Sequence, residues 1–445
     1  MSAADVVAAE TPEGLPLPAP NAPEPLSMGA VLRIVPMRRL WYAQVVSVFG
    51  DFLALYAVMT IVTYKLHATP QQVTGIQIAY LAPIAVLGVV SGVFADRWPV
   101  KLTLVSSDLT RALLCLLLLR VHSIPGFYLV LASISVVSSF FSPSQGIALR
   151  STVPFHGLRS ATALMQQVMF IMRIIGGPIA VTIVTVLGVK ICYIGDSISF
   201  VCSASLIASV ALTVPARSVI AKQTQDATTV VPSQPTGIRR ILADMREGAS
   251  FIVHHAALLF VITALAAGMF ALGCFAPMIA VYVRDNLHAP QKIFGVTSAM
   301  IGIGLLSGMN VLTAAAKKVK HTSLVYFGLG GMAAGTFVLA AIPRLATTIP
   351  ALILIGFAAG GIIVPSQTMI QEETPHTMLG RVGSTVMSFV FSAQIAGLLL
   401  SGVLADHTSV RGVFLLSGIL LAVLVLAGKL WMEPKPHDPV AATAA

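Results

Sequence analysis

Five charged side chains lie inside long apolar stretches of the sequence, where their chemistry would be unusual. They are Asp51, Asp108, Arg111, Arg173 and Asp196. An ionised group in hydrocarbon surroundings is costly, so each of these residues is a candidate for proton transfer or ion pairing. Three carboxylates and two guanidinium groups have a net charge of −1. That balance would leave one carboxylate free to bind and release a proton.

Asp51 and the pair formed by Asp108 and Arg111 allow both functional and structural interpretations. Asp51 has no basic residue one turn away in its own stretch, so it could exchange a proton or form a structural hydrogen bond to another helix. Asp108 and Arg111 are three residues apart and would share one helical face. This spacing favours a self-neutralised pair that orients helices, although both residues stay candidates for proton coupling.

Arg173 and Asp196 complete the set. Arg173 lies one turn before Gly177 and Pro178, and it could face an anionic or amphiphilic ligand or pair with Asp51. It is therefore a further proton-coupling candidate. We interpret Asp196 as structural because it lies near the end of its stretch, and Gly177 and Pro178 as structural because small residues allow helices to approach closely.

The elements that carry these charges must lie in a membrane. The 445 residues are 56% hydrophobic and 10% charged, with a mean hydropathy of +0.90, whereas soluble domains are about 25% charged. The net charge of +10 does not indicate nucleic-acid binding, because the basic residues are spread over short connections between apolar runs. The composition excludes a soluble globule and predicts a multi-pass integral membrane protein.

Twelve apolar runs are long enough to cross the bilayer core, which needs about 20 residues per helix. The predicted spans are residues 41–64, 73–95, 102–120, 126–148, 161–186, 191–214, 253–283, 292–315, 322–342, 349–371, 382–404 and 412–432. Of the 27 Lys and Arg residues, 18 fall in the tails and connections of one side and seven in those of the other. Because basic residues favour the cytoplasmic side, we expect both termini in the cytoplasm and the protein in the cell membrane.

The polar segments divide the chain into two membrane units. We predict a disordered Pro-rich tail at 1–35, a six-helix bundle at 36–214, a cytoplasmic linker with an amphipathic helix at 215–250, a second six-helix bundle at 251–432 and a tail at 433–445. The linker helix is predicted because basic and acidic residues alternate with apolar ones before the seventh span.

The two bundles resemble each other at an offset of about 221 residues. His67-Ala-Thr-Pro corresponds to His288-Ala-Pro, and Pro143-Ser-Gln corresponds to Pro365-Ser-Gln. Parallel six-helix repeats are a plan of secondary transporters, which hold their substrate between the halves. The sequence therefore predicts an all-α membrane protein with twelve transmembrane helices in two six-helix pseudo-repeats.

Several motifs resemble those of the major facilitator superfamily. The segment Gly92-Val-Phe-Ala-Asp96-Arg97-Trp-Pro-Val-Lys101 is similar to the superfamily's loop signature between spans two and three. Three further segments resemble its multidrug, macrolide and siderophore exporter branch: Phe49-Gly50-Asp51, Ser107-Asp108-Leu-Thr-Arg111 and Gly195-Asp196-Ser-Ile-Ser-Phe200. The resemblance covers about 36–432 and implies the major facilitator fold.

The resemblance also implies a gate on the cytoplasmic side. The loop residues Gly92, Asp96, Arg97 and Lys101 would hold the two halves together close to Arg381 at the start of span eleven. A carboxylate is favoured at a helix N-terminus, so Asp96 would be the residue that makes this contact. Breaking the contact would let the protein open towards the cytoplasm.

A cavity between the halves would hold the substrate. The side chains that could line it are Gln166, Gln167, Gln394, Phe140 and Phe141. The arginine that the superfamily carries in span four is missing, because no basic residue occurs between Leu131 and Pro143. Arg111 or Arg173 could take its place.

These features predict a secondary transporter that exports hydrophobic or amphiphilic small molecules in exchange for protons. A lysophospholipid flippase is the alternative within transport, and a non-transporting membrane receptor or scaffold is the alternative of another class. We expect no enzyme, because His, Asp and Ser do not cluster near one face, and no metal or other cofactor, since the four cysteines lack CxxC spacing. The expected partners are a small-molecule substrate, the lipid bilayer and protons, with no nucleic acid, for a protein that acts as a monomer.

Overall fold

The computed structural model describes residues 26–95, 98–211, 238–315, 319–375 and 378–432. Over this part of the chain, fourteen α-helices form. They are α1 (Met28–Arg33), α2 (Val35–Thr60), α3 (Pro70–Ala95), α4 (Val100–Leu117), α5 (Ile124–Thr152), α6 (Leu158–Leu187), α7 (Val189–Ala208), α8 (Ile238–Val253), α9 (Ala256–Asp285), α10 (Gln291–Ala315), α11 (His321–Ala341), α12 (Leu345–Glu373), α13 (Leu379–His407) and α14 (Val410–Ala427). Turns of π-helix extend α2 over Ile61–Lys65 and α14 over Gly428–Met432.

The helices correspond to the predicted spans. Among the described residues, eleven helices are long and apolar enough to cross a membrane: α2, α4 to α7 and α9 to α14. The remaining one, α3, has 26 residues and occupies the position of the second predicted span. Interior prolines such as Pro83 and Pro178 do not end their helices, because neighbouring helices can satisfy the freed backbone groups. The predicted twelve-helix membrane fold is confirmed.

The internal repeat is visible in the register of the helices. The helices α2 to α7, which we call the first half, begin 221 residues before the helices α9 to α14, which we call the second half. Helix pairs repeat as well: α3 packs on α5 as α10 packs on α12, and α2 packs on α6 as α9 packs on α13. After α2 and α9, His67 and His288 adopt the same left-handed conformation, with φ of 47° and 48°. The two halves are therefore related by a pseudo-twofold axis.

Two extensive helix contacts join the halves, because α6 packs on α10 and α3 packs on α13, and α9 also packs on α3 and on the π-helical turn after α2. We call the end of the bundle where α2 begins and α7 ends the linker end, and the opposite end the far end. Close approach at Gly295 of α10 brings Val181 of α6 to 2.9 Å from the position that a Cβ would take. Likewise, Gly402 of α13 lies against Thr74 of α3, whose Oγ1 would be 2.9 Å from such a Cβ.

The tail predicted for residues 1–35 is shorter than expected at its inner end. Residues 28–33 form α1, because the Ser27 hydroxyl accepts a hydrogen bond from the Ala30 amide at 3.3 Å and caps the helix. Val31 of this helix is fully buried, and such burial stabilises the turn. Residues 1–25 and 433–445 lie outside the described part of the chain, as does most of the linker, where the description resumes at Ile238 with α8.

Candidate functional site

Helices α2, α4 and α7 bring four of the five predicted intramembrane charges together inside the first half. Asp108 and Arg111 share one face of α4, and the Arg111 Nη2 donates a hydrogen bond to the Asp108 Oδ1. Both side chains are buried, and Ser203 of α7 stands beside the Asp108 carboxylate. We call Asp51, Asp108, Arg111 and Asp196 the charge cluster.

Two aromatic rings enclose the Arg111 guanidinium. Its central carbon lies 4.4 Å from the ring centre of Phe141 on α5 and 4.3 Å from that of Phe200 on α7. A desolvated cation between two ring faces is attracted by both ring quadrupoles, by about 2 kcal/mol for a single such contact. The guanidinium is therefore held in one orientation by three helices.

Asp196 is enclosed by uncharged hydrogen-bond donors. The Cys115 thiol donates to the Asp196 Oδ2 at 2.9 Å, and the Ser199 hydroxyl lies 3.3 Å from the Oδ1. Helix α2 passes this carboxylate at Gly50, where a Cβ would be 2.3 Å from the Asp196 Oδ1 and 2.0 Å from the Ser199 Oγ. Only glycine lets α2 come so close to α7. The close approach also carries the next residue, Asp51, to the cluster.

Asp51 differs from the other members because it keeps part of its surface accessible. Asp108, Arg111 and Asp196 are only 0%, 3% and 1% exposed. Asp51 is near enough to all three for their charges to interact. The cluster thus holds three carboxylates and one guanidinium within the described residues. Arg173, the predicted alternative partner, belongs to α6, but its side chain lies outside the described part.

A row of aromatic rings connects this region with the second half. Phe52 and Tyr56 stack along α2 with ring centres 6.2 Å apart, and the Tyr56 ring is 5.5 Å from that of Phe294 on α10. Gly177, which was predicted to be structural, and its neighbour Gly176 make room for the rings, since a Cβ at Gly176 would be 2.9 Å from Phe52 and one at Gly177 would be 2.8 Å from Tyr56. We call Phe52, Tyr56 and Phe294 the aromatic bridge. It begins at the residue next to Asp51.

Two amide side chains that the sequence analysis missed meet nearer the linker end. The Gln145 Nε2 of α5 donates to the Gln44 Oε1 of α2, and the Gln44 Nε2 points to the Met169 sulfur of α6 at 3.9 Å. Both glutamines are half-buried, and Met169 is 41% exposed. We call Gln44 and Gln145 the amide pair. Their position inside predicted spans could have identified them as candidates. The sequence does not show, however, which faces of α2 and α5 meet.

The predicted cavity residues occupy several different places. Gln166 and Gln167 are exposed on α6. The backbone carbonyl of Gln394 on α13 packs against Gly273 of α9, 2.3 Å from the position of a Cβ. Phe140 stacks with Trp98 at 5.6 Å between ring centres. Phe141 is buried against Arg111 and does not face the space between the halves, because its ring covers the guanidinium.

The predicted gating loop lies largely outside the described residues. Asp96 and Arg97 lie outside them, and of Gly92 only the backbone position in α3 is described, whereas Lys101 is exposed at the start of α4. Arg381 at the start of α13 donates to the Glu247 Oε1 of α8 at 2.7 Å. This ion pair ties the linker helix to the second half.

Nothing in the described part of the chain resembles a metal centre. Over the ranges given above, no group of three or more His, Cys, Asp or Glu residues is arranged to hold an ion. All four cysteines are free thiols, three of them buried and one, Cys202, exposed.

Comparison with known proteins identifies the family. The Major Facilitator Superfamily profile matches residues 40–397 and 347–445. The uncharacterized MFS-type transporter YfiS of Bacillus subtilis strain 168 is 26% identical over 407 residues, which cover 89% of this chain and 93% of YfiS. Its counterpart YkuC from the same organism is 25% identical over 362 residues, covering 80% of this chain and 82% of YkuC.

Solved structures show the same fold at lower identity. The nucleoside transporter NupG superposes with a TM-score of 0.66 at 13% identity, covering 88% of this chain and 98% of NupG. A bacterial homologue of the iron transporter ferroportin, in its inward-facing state, superposes with a TM-score of 0.63 at 15% identity, covering 89% of this chain and 98% of the homologue. With its twelve spans and two equivalent halves, the chain belongs to the Major Facilitator Superfamily and is a membrane transporter of that type.

Proposed function

We propose that the protein is a proton-coupled exporter of hydrophobic or amphiphilic small molecules. The observation that carries this proposal is the charge cluster, which holds more carboxylates than cations in the interior of the first half. Through Asp51 it adjoins the aromatic bridge that reaches the second half. A change of charge at the cluster can therefore act on the contact between the halves.

The charge balance of the cluster favours the proton as the coupling ion. With all groups ionised, the described members carry a net charge of −2, and a net charge in hydrocarbon surroundings is costly. Binding a proton lowers that cost without the coordination shell that a metal cation needs. Asp51 is the member with accessible surface, so it is where a proton would enter and leave. Arg173 remains a candidate partner of Asp51.

The rings of the aromatic bridge supply a route from proton to conformation. Phe52 follows Asp51 directly and packs on Gly176 of α6, and Tyr56 packs on Gly177 and on Phe294 of the other half. When Asp51 loses its proton, α2 is drawn towards Arg111, which lies within its electrostatic reach. Because closely packed cores repack in discrete steps rather than deforming gradually, this shift would move Tyr56 away from Phe294.

The surfaces on either side of the interface fit an amphiphilic substrate. The amide pair offers hydrogen-bond donors and acceptors without charge, and the neighbouring Met169 is a soft, adaptable contact. The described residues of the second half include partly buried apolar side chains such as Met300 and Ile301, which pack on the core. A substrate with an apolar body and a few neutral polar groups would match both sides.

The charge bias of the connections supports an orientation of the protein in the membrane. Basic residues favour a cytoplasmic position of the linker end. In that orientation the far end, where the halves touch, would face outwards and the protein would be in its inward-facing state. The gating loop around Asp96 would close the cytoplasmic side in the opposite state. Substrate would enter from the cytoplasm or the inner leaflet and leave at the far end.

Transport in inverted vesicles tests this function. Vesicles from cells with and without the protein would be given a panel of amphiphilic fluorescent dyes and a fluorescent lysophospholipid, with the proton gradient intact or collapsed by an ionophore. We expect dye accumulation that depends on both the protein and the gradient. Movement of lysophospholipid with no response of any dye would replace the exporter by a flippase. Accumulation that ignores the gradient would contradict proton coupling.

A further inference from the structure

Arg284, at the last turn of α9, reaches from the second half into the first. Its Nη1 donates to the Thr63 carbonyl at 2.7 Å and to the Ala68 carbonyl at 3.0 Å. The other edge of the guanidinium is held by Asp285 in a two-point contact, Nε to Oδ1 at 2.5 Å and Nη2 to Oδ2 at 2.8 Å. One side chain thus binds two backbone carbonyls of the opposite half while its own half keeps it in position.

The two carbonyls are available because of the way α2 ends. Its final turn is π-helical over Ile61–Lys65, and the last backbone bonds run from the Leu66 amide to the Ile61 carbonyl and from the Ala68 amide to the Val62 carbonyl. Neither of these two bonds uses the Thr63 carbonyl as its acceptor. Thr63 and Ala68 are only 0% and 1% exposed, so water does not replace a lost donor. A buried carbonyl without a donor is costly.

The position of this contact in the repeat is special. Thr63 stands 221 residues before Arg284, so Arg284 binds the turn that is equivalent to its own. The equivalent turn has the same backbone bonds, from Leu287 to Tyr282 and from Ala289 to Val283. A residue that contacts its own pseudo-symmetry mate lies at the pseudo-twofold axis. There is room for one guanidinium at such a point, and the first half supplies a threonine there.

Two further hydrogen bonds flank the axis at equivalent places. The Gln71 amide of α3 donates to the Asp406 Oδ1 of α13 at 3.3 Å, and the Gln291 Nε2 of α10 donates to the Thr185 Oγ1 of α6 at 3.2 Å. Together with the bonds of Arg284, they connect the two halves at the far end. Among these bonds, those of Arg284 lie on the axis and have a guanidinium cation as their donor, whereas the Asp406 carboxylate accepts one of the flanking bonds.

We propose that Arg284 is the central pin of the far-end gate, a positioning residue that sets how often the transporter opens at that end. The halves cannot separate at the far end without breaking both of its carbonyl bonds. Asp285 keeps the guanidinium oriented while the gate is open, so that the bonds form again on closing. This role rests on the geometry of the two halves and not on the proposed substrate or coupling ion.

Spin-label distances across the far end test the pin without any substrate. Labels would be attached to cysteines at His122 and Leu345, which are exposed on opposite halves, in a Cys202→Ser background. We expect Arg284→Gln to raise the ratio of far-end-open to far-end-closed molecules about tenfold, the effect of about 1.4 kcal/mol. Arg284→Lys keeps the positive charge but loses the planar guanidinium with its several hydrogen-bond donors. This variant should raise that ratio about threefold.

Arg411→Gln is the matched control. Arg411 also lies at the far end and binds two carbonyls, those of Ala340 at 2.6 Å and Ala341 at 3.2 Å, but within the second half. Loss of Arg411 should change the ratio less than about twofold, since this side chain forms its two bonds within one half. An unchanged ratio in Arg284→Gln, or an equal rise in Arg411→Gln, would overturn the proposal. If Arg284→Gln does not fold, an unchanged ratio in Arg284→Lys would overturn it instead.

Discussion

The interior positions that carry charges in the first half carry uncharged residues at the equivalent places of the second. Asp108, Arg111 and Asp196 correspond to Leu329, Met332 and Ser417. All six are buried, and in the described ranges every buried charged side chain belongs to the first half. The rings around Arg111 are replaced as well, Phe141 by Ile362 and Phe200 by Leu421.

This difference shows that two halves with the same helix arrangement can have different interior residues. The helix register is the same in both halves, so the fold does not depend on the charges. In the second half, α11 and α12 pack instead through glycines, as at Gly335, where a Cβ would be 2.5 Å from Ile355. Such close packing leaves little freedom. Within the described residues, the first half is therefore the one with buried charges, and under the proposed function it is the half that responds to a proton.

The largest expected effect comes from breaking the ion pair of the first half. Arg111→Met leaves the buried Asp108 without its cation and should lower the free energy of unfolding by about 3–5 kcal/mol. Thermal unfolding of the purified protein in detergent would measure the loss. The double variant Asp108→Leu/Arg111→Met copies Leu329 and Met332 of the second half. It should recover most of the stability, because an apolar pair can replace a buried ion pair at little cost. A double variant as unstable as the single one would contradict the comparison.

A smaller effect is expected at the contact between α2 and α7. Gly50→Ala would place a methyl group 2.0 Å from the Ser199 Oγ, and such overpacking costs about 1–3 kcal/mol. The control is Gly195→Ala in the same interface, where the nearest atom, of Leu53, would be 3.7 Å away. The same unfolding assay should find the control unchanged. Equal stability of both variants would mean that α2 can move away from Asp196 freely.

The effect on substrate binding should be smaller still. Gln145→Leu removes one member of the amide pair and should weaken binding of a hydrogen-bonding dye about fivefold, since a single hydrogen bond contributes about 1 kcal/mol. Gln394→Leu in the second half is the matched control and should bind as the wild type does. Affinity can be followed by quenching of tryptophan fluorescence, because Trp41 packs near Val168 and Met172 of the same region. Weaker binding in the control alone would move the site to the second half.

The spans and the repeat could be predicted from the sequence because both depend on local properties. Hydropathy identifies the helices whatever their neighbours are. The repeat can be recognised because equivalent residues such as His67 and His288 are still identical at a constant offset. The partners of each charge could not be predicted. Asp108 and Arg111 were expected to pair because they share a helix, whereas their proximity to Asp196 and Asp51 depends on how closely α2 packs on α7 at Gly50.

The candidate cavity shows the same limit. Gln166 and Phe141 were selected as polar or aromatic residues in the right spans, but the side of a helix that faces a cavity is set by tertiary packing. Gln44 and Gln145 are also polar residues inside predicted spans. They were missed because the sequence does not show which side of their helices faces a neighbour. The aromatic bridge could not be found either, because Tyr56 and Phe294 belong to different halves.

The central claim is that Asp51 couples the proton gradient to transport, and Asp51→Asn tests it most directly. The amide keeps the shape and hydrogen bonding of a protonated carboxyl but cannot lose a proton. In vesicles with a proton gradient, we expect Asp51→Asn to bind the dye as the wild type does but to lose its gradient-driven accumulation. Glu372→Gln, which removes an exposed carboxylate at the end of α12, should still accumulate it. An Asp51→Asn protein that still concentrates the dye against its gradient would contradict the account and leave Asp51 a structural residue.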